Sequence, residues 1–171
     1  IGQTLLLSGK ILTARDAAHK KIQDILARGE KLPDGLNLKN RFLYYVGPVD
    51  AVGNEAVGPA GPTTATRMDK YTNLMLSECG IMSMIGKAER GTDTVRAIKE
   101  HESTYLIAVG GAAFLVSKAI KSAKVIAFPE LGMEAVHECE VVDMAVTVAV
   151  DTRGMSIHEQ GAKKWKTIDV N

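Results

Sequence analysis

The chain has 171 residues, of which 46% are hydrophobic and 24% charged, with a formal net charge of +1. That balance fits one domain over residues 1–171 with a buried core, and it excludes a globally basic nucleic-acid footprint. Aromatic residues are only 5%, which argues against base-stacking surfaces, and no apolar run approaches the roughly 20 residues that span a bilayer.

The opening 4-TLLLSGKIL-12 reads as a strand broken by a Ser-Gly turn. No charged-apolar-small signal-peptide pattern opens the chain, and the start at Ile1 within structured sequence reads as a piece of a longer or processed chain. Next, 14-ARDAAHKKIQDILARG-29 has helical apolar spacing at Ala18, Ile22, Ile25 and Leu26, with Gly29 as its stop. A polar loop, 30–41, leads to a short strand, 42-FLYYVG-47. The following 47-GPVDAVGNEAVGPAGPT-63 has no helical period and is long for a loop inside a compact domain, which favours a functional role.

A helix is predicted over 63-TTATRMDKYTNLMLSECG-80, with Met68, Tyr71, Leu74 and Met75 on one face. Then come a strand at 81–87, a helix at 94–102 and a strand at 104–110. Gly110-Gly111-Ala112-Ala113 opens a further predicted helix, 113–123. The run 124–132 reads as a strand, 133–154 as two β-like runs, and 155–167 as a polar tail. Alternating strands and helices predict an α/β domain with a largely parallel sheet flanked by helices. The extra strands at both ends predict a second β layer.

Three segments share a form in which glycine leads toward a helix start: Gly61 to Arg67, Gly86 to Arg90, and Gly110 to Ala113. In a parallel α/β sheet such segments gather on one edge, where ligands bind. A helix N-terminus with free N–H groups is a natural anion site. Helical spacing would put Arg67 on the same face as the Thr63 hydroxyl, and Lys87 at a strand end would add a second cation. The same residues also read as an N-cap and solvated surface charges, and spacing does not choose between these. Gly110-Gly111 fits neither a dinucleotide fingerprint nor a phosphate loop.

Arg15, Asp16 and His19 form another constellation at a helix start, which also reads as an ordinary surface pair. The four histidines show no metal-ligand spacing, and His137-Glu138-Cys139-Glu140 alternates across a strand, so no metal site is expected. The two cysteines, Cys79 and Cys139, are too few for an iron–sulfur cluster and read as reduced, partly buried thiols.

Taken together, 8-SGKILTARDAAH-19, 46-VGPVD-50, 58-GPAGPTTATRMD-69, 84-MIGKAERG-91, 108-AVGGAAFLVSKAIKS-122 and 131-LGMEAV-136 resemble, in order, the C-terminal domain of class I (iron–sulfur) fumarases. The same domain serves as the β subunit of two-subunit fumarases and of L-tartrate dehydratase. The resemblance implies a swivelling β/β/α domain and interconversion of fumarate and (S)-malate. It further implies a 4Fe–4S cluster whose ligands lie outside this chain, on an N-terminal domain or α subunit, with one iron acting on the substrate hydroxyl. A cytoplasmic location, a homodimer of the full enzyme, and no nucleic-acid or membrane partner go with it. By position, it implies that Arg15, Arg67 and Lys87 bind a small dicarboxylate and that Thr63 handles the proton. Asp16 and His19 would support them. Without the cluster half, this chain is not expected to be active alone.

Overall fold

A computed structural model describes residues 1–109, 111 and 113–166. Gly110 and Ala112, the middle of the third glycine-led segment, lie outside the described residues.

The first strand, β1 (Thr4–Thr13), leads into α1 (Asp16–Ala27) and β2 (Phe42–Tyr44). A 3-10 turn (Ala65–Met68) then runs into α2 (Asp69–Ser77). There follow β3 (Ser83–Gly86), α3 (Thr92–Glu100), β4 (Thr104–Ile107) and α4 (Ala113–Ala119). The chain continues with β5 (Ile120–Ala127), a second 3-10 segment (Pro129–Glu134), β6 (Val136–Val150) and α5 (Ile157–Trp165).

The domain is α/β, but its sheet is mixed. The strand order is β1-β2-β3-β4-β6-β5, with β1 also paired to β6. The β1–β2, β2–β3 and β3–β4 pairs are parallel. Every pairing of β6 is antiparallel: with β1, with β4 and with β5. Because β6 joins β4 to β1, the ladder closes on itself. The expected separate β layer is absent among the described residues; the end strands are hydrogen-bonded into the same sheet.

Closure gives the strands two different faces. Side chains alternate along a strand, so Ile11, Tyr44, Ile85, Leu106 and Val146 fill the interior, with Cys139 and Met144. Their neighbours Leu12, Leu43, Met84 and Tyr105 point outward against α1, α2 and α3 through Ala18, Ile22, Tyr71, Met75 and Ile98.

Several expected boundaries differ, each for a local reason. The Ser-Gly pair does not break β1. Gly9, at φ +124°, absorbs a bulge, and Ser8 Oγ accepts the Asp143 N–H at 3.0 Å, so the strand runs on. The helix predicted from residue 63 starts its α-helical part only at Asp69. The backbone of Thr63 to Ala65 is already bonded sideways, to Tyr45 and Lys87, and cannot also form a helical turn. The strand predicted over 124–132 begins at Ile120, and the two β-like runs merge into the 15-residue β6. The polar tail carries α5.

Candidate active site

The site lies where the parallel strands end. Arg15 follows β1, Gly47 follows β2, and Lys87 directly follows β3. The Gly61–Arg67 segment is threaded between these ends. The Thr63 N–H donates to Tyr45 O at 2.7 Å, the Lys87 N–H to Thr63 O at 3.2 Å, and the Ala65 N–H to Lys87 O at 3.0 Å. Thr63 and Lys87 are thus in direct backbone contact. Thr63 is extended-chain neighbour to a strand end and not a helix cap, so it does not share a helical face with Arg67. The 3-10 turn has Thr64 as its N-cap, without a side-chain capping bond.

Arg67 reaches the same edge by another route. Its Nε donates to Asp16 Oδ1 at 3.2 Å and its Nη2 lies 2.9 Å from Asp16 Oδ2. This side-on pair uses one flank of the guanidinium and leaves the Nη1 flank unbonded among the described residues. Lys87 is exposed, and neither its ammonium nor the Thr63 hydroxyl has a partner among the described residues.

Arg15 sits in a slot. Its side chain is 20% exposed, and Nη2 is 3.7 Å from Glu134 Oε1. The other Glu134 oxygen accepts the Ala17 N–H at 2.8 Å, so one carboxylate caps the start of α1 and faces Arg15. Gly47 closes the slot's other wall: a Cβ there would lie 2.8 Å from Arg15 Nη1 and 2.9 Å from Met133 O.

His19 is fully buried, edge-on to Tyr45 and stacked on Tyr71. Its Nδ1 is 2.7 Å from Arg15 O, which makes it the N–H donor and leaves a bare, buried Nε2 without a partner among the described residues. Burial pushes the imidazole down to about 4, against the raising pull of the Arg15 carbonyl. It is a neutral support for the Arg15 turn.

Two residues escaped the sequence reading. Glu134 lies in the quoted 131-LGMEAV-136, but only the 3-10 segment's return to α1 makes it a cap. Arg90 ends the second glycine-led segment, yet its guanidinium is buried against Asp69 at 2.6 Å. The available signal was a charged residue inside each of two quoted motifs, Glu134 in 131–136 and Arg90 in 84–91.

The cysteines do not fit a cluster. Cys79 packs in the outer core and Cys139 in the interior, and burial pushes their thiols up to about 11 and about 12. Cluster ligands are thiolates. Among the described residues no group of three or more His, Cys, Asp or Glu gathers to hold a metal ion. No helix among them is long and apolar enough to cross a membrane.

Fold and site together define an α/β domain that presents two arginines, a lysine and a free hydroxyl on one sheet edge. The chain belongs to the family described as the fumarase C-terminus, which matches residues 1–161. It is 39% identical over 161 residues to fumarate hydratase 2 of Leishmania major, covering 94% of this chain and 28% of that protein. It is 37% identical over 165 residues to the anaerobic class I fumarate hydratase of Escherichia coli, covering 96% and 30%. It is 36% identical over 169 residues to a putative L(+)-tartrate dehydratase subunit beta of Methanocaldococcus jannaschii, covering 96% and 86%. The chain therefore spans under a third of the length of the two fumarate hydratases.

Proposed function

We propose that this chain is the substrate-closing part of an iron–sulfur hydro-lyase that interconverts fumarate and (S)-malate. The observation that carries the reading is an edge bearing Arg15, Thr63, Arg67 and Lys87 in a chain of the fumarase C-terminus family. Its own thiols do not fit a cluster, so the 4Fe–4S group would belong to an N-terminal domain or α subunit. The chain would swivel against that part, in a homodimer of the full cytoplasmic enzyme.

The residue types suit a dicarboxylate. Arg15 and Arg67 supply guanidinium flanks for carboxylates, and each charge-assisted hydrogen bond contributes about 1.5–3 kcal/mol. In the dehydration direction a proton leaves carbon 3 of malate. Its electron pair spreads onto the neighbouring carboxylate, and hydroxide leaves carbon 2, so that water and a double bond result. The charge on that carboxylate peaks in the transition state. The unpaired Lys87 ammonium and the free flank of Arg67 would stabilise it there more than in the ground state. Thr63 would take the proton as an alkoxide or relay it to a carboxylate of the partner domain. Asp16 holds Arg67, and His19 supports Arg15 from within.

A second reading, the β subunit of an L-tartrate dehydratase, is favoured by the relative of that name, which this chain matches over 86% of its length. Arg67→Ala in the full enzyme tests whether the edge is catalytic at all. The expected result is a loss in kcat/KM of about 100-fold or more, whereas turnover within about threefold would mean a non-catalytic anion-binding or assembly domain.

A further inference from the structure

Arg90 touches none of the surfaces offered to substrate, yet it is the best-satisfied charge at the site. Its side chain is 0% exposed. The guanidinium lies 4.8 Å from the Tyr105 ring centroid and 5.5 Å from that of Tyr45. Its Nε donates to Asp69 Oδ1 at 2.6 Å, its Nη2 to Thr72 Oγ1 at 2.6 Å, and its Nη1 faces Met84 Sδ at 3.7 Å. The second Asp69 oxygen accepts the Gly91 N–H at 2.8 Å.

A buried ion pair is a poor way to gain stability, because well-packed apolar residues of similar volume do as well or better. What it does supply is a single geometry, and its position gives that geometry a use. Asp69 lies two residues beyond Arg67, and Arg90 three beyond Lys87. One further bond joins the same two segments, and another fixes the second of them to β4. Thr66 Oγ1 donates to Glu89 O at 3.0 Å, and Tyr105 OH to Ala88 O at 2.9 Å. Ala88 itself is held at φ +64°, where a residue with a side chain is strained.

We propose that Arg90 is a positioning residue: through Asp69 it sets the register between the Thr63–Arg67 segment and Lys87, so that hydroxyl, guanidinium and ammonium meet one dicarboxylate in a fixed arrangement. The proposal rests on the hydro-lyase reading for its kinetic consequence, though not for its structural one. Misplacing a catalytic group by about 1 Å can cost about 100-fold in rate.

The test uses the full enzyme carrying Arg90→Lys, which keeps the charge but loses the fork, and Tyr105→Phe, which keeps the ion pair and removes only the bond to Ala88 O. For Arg90→Lys, kcat on malate falls about 10- to 100-fold with KM within about threefold, because contacts tightened in the transition state are lost first. Tyr105→Phe gives a smaller fall of the same kind. Amide exchange, read by mass spectrometry, speeds up over 63–66 and 87–91 and is unchanged over α1. Normal kcat in Arg90→Lys despite lowered stability overturns the proposal, as does exchange that quickens evenly everywhere. Should Arg90→Lys not fold, Thr72→Val takes its place, since it removes the acceptor of Arg90 Nη2, and unchanged kcat and exchange there overturn the proposal too. A wild-type enzyme without malate turnover sinks the fumarate–malate reading instead, and the exchange pattern still decides the role of Arg90.

Discussion

Arg15 is held by what position 47 lacks. With glycine there, the guanidinium lies between β2's end and the second 3-10 segment. With any larger residue, a carbon would sit 2.8 Å from Nη1 and 2.9 Å from the backbone oxygen of Met133. Arg15 can swing aside, whereas relief at the backbone oxygen requires the 3-10 segment to shift, so both walls of the slot are disturbed. Gly47→Ala in the full enzyme should therefore raise the malate KM about tenfold while kcat changes less, since a displaced carboxylate ligand weakens ground and transition states alike. A KM within about twofold of wild type would show that substrate does not use this slot. The arginine itself was legible in the sequence, because the Ala-Arg-Asp run carries it. The slot was not: Gly47, Met133 and Glu134 come from segments whose proximity only the closed sheet creates.

At the level of elements, α1 does more for the site than its sequence pattern suggests. It begins with Arg15 and Asp16 side by side. One faces Glu134 and the other grips Arg67, so a single helix start sets both guanidiniums. One turn on, His19 anchors that start from the core side through the Arg15 carbonyl. The histidine's pKa is depressed from 6.5 to about 4 by burial. The unfolded chain thus binds the proton first as pH falls, and stability is full above about 6.5 and declines toward 4. At about pH 5 the loss is about 2 kcal/mol relative to neutral pH. His19→Asn keeps a donor for Arg15 O and removes the titration. In urea melts of the full enzyme, the stability difference between wild type and His19→Asn should shrink between about pH 7.5 and about pH 5, and a constant difference would count against a buried neutral imidazole. The opposite lesson comes from residues 63–65. Their spacing looked helical, but strand ends on both sides claimed the backbone bonds. Tertiary pairing of that kind leaves no periodic trace in the sequence.

At the scale of the whole molecule, the alternation of strands and helices pointed correctly to an α/β domain. It did not reveal the closure, because the antiparallel β6 is bent through a bulge at Asp143 and serves three neighbours at once. The parallel order of β1, β2 and β3 matters for the choice of substrate, since it sets the loops that follow them side by side on one edge. Malate and tartrate differ there by a single hydroxyl, on the carbon that would lose its proton. A hydroxyl buried without a partner costs about 1–3 kcal/mol. Thr63 is a hydroxyl left free on this edge beside the cations, and a Thr63 engaged in proton transfer cannot also satisfy that extra hydroxyl. Joined to the part proposed to carry the cluster, the chain should therefore turn over malate with a kcat/KM at least about tenfold above that for tartrate. The comparison needs both substrates on one reconstituted preparation, with fumarate and oxaloacetate followed as the respective products. Tartrate dehydration outpacing malate dehydration would assign the chain to the dehydratase reading.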